Sequence, residues 1–74
     1  MVSDYGVVLF HTTSSAIRAE KVARKAGYDC KLIPTPREFS SDCGIALRFA
    51  WEDADGVKSC LEGARVELAD VYRL

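Results

Sequence analysis

An α+β fold is what this 74-residue sequence predicts, on three observations. A short apolar run from Tyr5 to Phe10, rich in β-branched and aromatic residues, has the pattern of a strand covered on both faces. A stretch from Ser14 to Ala26 repeats its apolar residues at helical spacing. Two further strand-like runs, a second and shorter helical stretch and a last run of β character complete the order β-α-β-β-α-β. That order is the ferredoxin-like arrangement, whose usual form is a four-stranded antiparallel sheet with both helices on one face and strand order 4-1-3-2. Residues 1–74 are expected to make a single domain of this kind.

In Tyr5 to Phe10, Gly6 weakens the strand only locally. His11-Thr12-Thr13-Ser14-Ser15 is a hydroxyl-rich entry to a helix, and Thr12, Thr13 or Ser14 can cap the free N–H groups of its first turn. Ala16, Ile17, Ala19, Val22, Ala23 and Ala26 form the apolar side of that helix, mostly small residues that allow close packing on a sheet. Glu20 and Arg24 are spaced as an i,i+4 ion pair. Gly27 supplies the left-handed residue that ends the helix, with Tyr28 folding back on its last turn.

Tyr28 to Ile33 alternates as a strand, with Cys30 and Leu32 opposite Lys31. Pro34 and Pro36 then stop ladder pairing, which fits an edge strand running into a loop. Gly44 to Ala50 is the next strand, with Ile45, Leu47 and Phe49 on one face and Ala46, Arg48 and Ala50 on the other. Trp51 to Gly56 reads as a turn, Trp51 as a core lid and Asp53 as the cap of the second helix. Val57, Cys60 and Leu61 are the apolar side of that helix and Gly63 its end. Val66 to Leu74 is the last strand, with a bulge near Ala69-Asp70. A two-sided apolar first strand leaves one sheet face open, the place where a second copy of the chain would make a homodimer.

Composition excludes several functions. Net charge −1, with Lys and Arg alternating with acids, offers no field for nucleic acid. No apolar run approaches the ~20 residues of a membrane span, and the N-terminus lacks the basic start of a signal peptide. The expected setting is cytoplasmic. Cys30, Cys43 and Cys60 are an odd set without CxxC or Cys/His spacing, so neither a zinc site nor a disulfide framework is expected, and no cofactor. Cys30 and Cys60 read as small buried hydrophobes.

Cys43 differs because its loop is polar and bounded by proline. In the expected topology the end of the first strand lies beside the start of the third. That brings His11, the helix opening at Thr12 and Thr13, and Arg37 of the loop to the same edge as Cys43 and Gly44. A helix N-terminus offers free N–H donors and partial positive charge, surroundings that favour the nucleophilic thiolate. Asp42 works against a second negative charge unless Arg37 or a backbone cap offsets it. Gly44 leaves the approach to the thiol uncrowded. His11 reads more simply as a structural or solvated residue, and Arg37 as a loop tie.

Phe10-His11-Thr12-Thr13, Ala16 to Lys21, Pro34-Thr35-Pro36-Arg37-Glu38 and Ser40-Ser41-Asp42-Cys43-Gly44 to Arg48 together resemble the small bacterial selenium/sulfur carrier protein-like family. The likeness runs from about Tyr5 to Tyr72, and the Pro-x-Pro-Arg-Glu…Ser-Ser-Asp-Cys-Gly block is its most specific part. It implies a thiol protein that holds sulfur or selenium on Cys43 as a persulfide or selenopersulfide, between a donor and an acceptor protein. Such a chain is a carrier rather than a stand-alone enzyme. Two other roles fit the residues. One is a non-catalytic binding or regulatory module that uses the 34–43 loop. The other, a metallochaperone, would have only Cys43 and His11 as ligands, where soft-metal capture wants two good ones.

Overall fold

The computed structural model describes residues 4–39 and 43–74. Strands β1 (Tyr5–Leu9), β2 (Cys30–Pro34), β3 (Ile45–Ala50) and β4 (Asp70–Arg73) alternate with helices α1 (Thr13–Lys25) and α2 (Ala54–Gly63) as expected. They form one four-stranded sheet in the order β2-β3-β1-β4. Every neighbouring pair is antiparallel, with Val8 beside Leu47 and Val71, and Leu47 beside Leu32. This is the ferredoxin-like arrangement.

The two sheet faces hold different cores. Val8, Phe10, Leu47 and Phe49 pack with Ala16, Ala19 and Ala23 of α1 and with Val57 and Leu61 of α2. Alanines let α1 lie close to the sheet, as the helical spacing requires, whereas Ile17 of the same apolar set is exposed. On the other face Val7, Leu9 and Ala46 form a smaller cluster, and Ile33 and Phe39 pack over it. Phe39 belongs to the β2–β3 loop. The apolar open face is therefore roofed in part by the chain itself, which weakens the reason for placing a second copy there.

Both helices end in the same way. At α1, the Gly27 N–H donates to the Arg24 carbonyl and the Tyr28 N–H to that of Ala23, each at 3.0 Å, with Gly27 at φ 96. This is a Schellman cap, and it takes Tyr28 out of the strand, which starts at Cys30. At α2 the left-handed residue is Arg65, two positions beyond Gly63, and the Val66 N–H closes the cap on the Leu61 carbonyl at 2.9 Å. Val66 thus supplies the apolar contact of a cap and not the first residue of a strand; β4 begins at Asp70.

The start of α2 and the end of β2 depart from the sequence reading. The residues expected as a turn, Trp51 to Gly56, are a 3₁₀ turn (Trp51–Asp53) that runs directly into α2 at Ala54. Gly56 lies inside the helix, because the ring of Tyr28 occupies the space where a Cβ would stand. Asp53 holds the cap position without a side-chain capping bond. Pro34 is still in register opposite Ile45, as the last residue of an edge strand. Gly6 has a specific reason too. A Cβ there would meet the rings of Phe49 and Trp51, which stack across it with centroids 6.1 Å apart. No helix among the described residues is long and apolar enough to cross a membrane.

Candidate functional site

The loop between β2 and β3 is closed at its base by one residue. Thr35 donates its N–H to the Gly44 carbonyl and its hydroxyl to the Cys43 carbonyl, both at 3.0 Å. Pro34 has no N–H to continue the ladder, so the chain leaves the sheet here and Thr35 ties it back. Pro36 to Phe39 then makes a turn, with the Phe39 N–H on the Pro36 carbonyl at 3.0 Å and Arg37 and Glu38 exposed at its tip. The turn brings Phe39 onto the open sheet face, where its ring stacks on Tyr72 of β4 at 4.5 Å and 12°. Cys43 goes to the opposite face. It is 3% exposed and packs in the helix-side core that includes Phe10, Ala16 and Leu47. The loop is therefore anchored on both sides of the sheet.

The Cys43 thiol meets α1 at its first residue, with Thr13 Oγ1 3.7 Å from Sγ. The hydroxyl run divides its work. Thr12 is the cap: its Oγ1 accepts the Ser15 N–H at 3.1 Å and also bonds the Ser15 hydroxyl at 3.0 Å. Thr13, one residue on, faces the thiol. Thr12 thus serves the helix while Thr13 touches the candidate site. His11 is exposed, immediately after the buried Phe10. Gly44 is exposed, with open space where a side chain would stand. Arg37 lies at the exposed turn tip, and Asp42 lies outside the described residues. Of the expected constellation, the structure brings Cys43 and Thr13 into contact.

The other thiols are placed differently. Cys60 is half-buried and donates to the Val22 carbonyl at 3.8 Å, joining α2 to α1. Cys30 is buried at the far end of the sheet, at the start of β2. Burial pushes its thiol pKa up, while a hydrogen bond from Arg24 and the charge of that guanidinium pull the other way. Among the described residues no group of three His, Cys, Asp or Glu side chains is placed to hold a metal ion. Thr35, Phe39 and Tyr72 were not singled out by sequence reasoning. An aromatic residue in an otherwise polar loop was the available signal for Phe39; nothing local marks Tyr72 as its partner.

Fold and thiol together make this a small α+β thiol protein with a cysteine packed against the opening of its first helix. Residues 5–73 match the family described as putative Se/S carrier protein-like, and the chain belongs to that family. No curated protein and no solved structure matches it.

Proposed function

We propose that this protein is a cytoplasmic carrier of sulfur or selenium, relaying it on Cys43 between a donor protein and an acceptor protein. In loading, the Cys43 thiolate attacks the outer sulfur of a donor persulfide. A sulfur–sulfur bond forms on Cys43 as the donor's own breaks, and the donor leaves as a thiol. In delivery an acceptor thiolate attacks the outer atom and Cys43 returns as thiolate. The sulfane atom moves as a unit and no external oxidant or reductant enters. Selenium follows the same balance.

The observation that carries this reading is the seat of the thiol, joined to membership of a carrier family over residues 5–73. Cys43 lies against the first turn of α1, where Thr13 Oγ1 is 3.7 Å away to bond a charged sulfur. Burial at 3% exposure would shield a persulfide from stray thiols between partners. In this reading His11, Thr13 and the first turn of α1 balance the anion, and Gly44 leaves room for the partner's sulfur.

The test is incubation with a persulfide donor followed by intact-mass measurement. One added sulfur atom on wild type, absent from Cys43→Ser and kept in Cys30→Ser and Cys60→Ser, is expected. Equal addition to Cys43→Ser would sink the proposal.

The same burial favours a second reading, in which Cys43 is a core residue and the turn at Arg37 and Glu38 is a recognition tip of a binding module. Under that reading Cys43→Ser keeps partner binding and Arg37→Ala loses it.

A further inference from the structure

At the sheet end opposite Cys43, a cleft of about 160 Å³ is lined by Tyr5, Arg24, Asp29, Cys30, Lys31 and Arg48, with Phe49 behind them. Its cations come from three separate elements: Arg24 from α1, Lys31 from β2 and Arg48 from β3. The β2–β3 register sets Lys31 directly across from Arg48. Like charges directly opposite on antiparallel strands cost stability, and here the fold keeps that pair in a chain whose net charge is −1. Asp29 is the single carboxylate of the lining.

The guanidinium groups are already held in place. Arg48 lies 4.6 Å over the Tyr5 ring. Arg24 donates to the Cys30 carbonyl at 3.1 Å and pairs with Glu20 at 3.6 Å. Ordering a long side chain beforehand removes part of the cost of binding. Burial keeps the Cys30 thiol protonated, so it adds no negative charge to the cleft. The cleft has room for a small anion with a few waters.

We propose that this cleft binds a small tetrahedral oxyanion of the phosphate or sulfate class, held by Arg24, Lys31 and Arg48. The anion relieves the Lys31–Arg48 repulsion and takes charge-assisted hydrogen bonds from groups of three elements. The site is independent of Cys43.

The test is titration of the ¹⁵N-labelled protein with inorganic phosphate at constant ionic strength, followed by amide shifts. Saturable shifts confined to the segments around Arg24, Cys30 to Lys31 and Arg48 are expected, with saturation by phosphate slowing iodoacetamide labelling of Cys30. Lys31→Gln and Arg48→Gln are each expected to weaken phosphate about tenfold, whereas Cys43→Ser binds as wild type. Lys31 is exposed and Arg48 half-buried, so a wild-type-like spectrum of each variant verifies folding before binding is compared. Acetate, tested in parallel, is expected to bind more weakly. Shifts that fail to saturate, spread over all surface cations, persist undiminished in both Gln variants, or appear equally with acetate would overturn the assignment.

Discussion

Arg65 sits at φ 57, in the left-handed region where an L side chain crowds its own backbone, yet it performs the capping role that Gly27 performs for α1. Arg65→Gly is therefore expected to stabilise the protein by about 1 kcal/mol, read as a raised urea midpoint with an unchanged slope. A lower midpoint would show that the Arg65 side chain makes a contact worth more than the strain. The sequence pointed to Gly63 as the end of α2, and the helix does end there, but the left-handed residue of its cap is Arg65. An arginine in that conformation leaves no local mark. Cys30 supplies a second test at this scale. Its folded pKa is raised above the ordinary thiol value of 9.0, chiefly by burial. Between the unfolded and folded values the native state holds a proton that the unfolded chain has released, so stability falls as pH rises. Its contribution is thus fully present below about pH 9 and lost as pH climbs through the folded pKa. Cys30→Ala should be less stable at neutral pH, with a smaller further loss between about pH 8 and pH 10 than wild type shows. Equal losses in the two proteins would mean that Cys30 does not titrate differently in the folded state.

Among the elements, the β2–β3 loop has the most to explain, because it reaches around the sheet. Thr35 closes its base, Phe39 stacks on Tyr72 on one face, and Cys43 enters the core on the other. Phe39→Ala removes the stack and uncovers Val7, Leu9 and Ala46, at an expected cost of about 1–2 kcal/mol. A double-mutant cycle with Tyr72→Ala should return a coupling of about 0.5–1.5 kcal/mol. Iodoacetamide should also label Cys43 faster in Phe39→Ala, since one of the two anchors is lost; an unchanged rate would show that the Phe39 anchor does not restrain the thiol. The strands and α1 were legible because their signals are local: alternation in Gly44 to Ala50, helical spacing of Ala16, Ala19 and Ala23, and Gly27 at the stop. The start of α2 was obscured because Asp53-Ala54-Asp55-Gly56 carries turn residues. Gly56 is there for the Tyr28 ring, a contact between positions far apart in sequence. The Phe39–Tyr72 stack and the cluster of Arg24, Lys31 and Arg48 were out of reach for the same reason. Each depends on a register that appears only once the strands have paired.

For the whole molecule, α1 and the sheet separate two buried thiols. Cys43 lies at the opening of the helix against Thr13, and Cys30 lies near its other end beside Arg24. Static exposure barely distinguishes them, at 3% and 5%. What holds them does. Cys30 begins β2 and pairs with Phe49, whose side chain is fully buried. Cys43 lies just before β3, held through Thr35, Thr13 and its core packing. A carrier must present its sulfur to another protein without unfolding, so Cys43 has to be reached through an opening smaller than the global one. Local openings expose little surface, and their free energy depends weakly on denaturant, whereas global unfolding follows the full slope. Labelling with iodoacetamide in low, increasing urea should therefore give a shallow dependence for Cys43. Cys30 should follow the steep dependence of whole-chain unfolding. Cys60, half-buried on α2, should label readily throughout. A steep dependence for Cys43 coinciding with that of Cys30 would make it a core cysteine. In that case the carrier reading would fail on accessibility, even if an added sulfur were found on the unfolded chain.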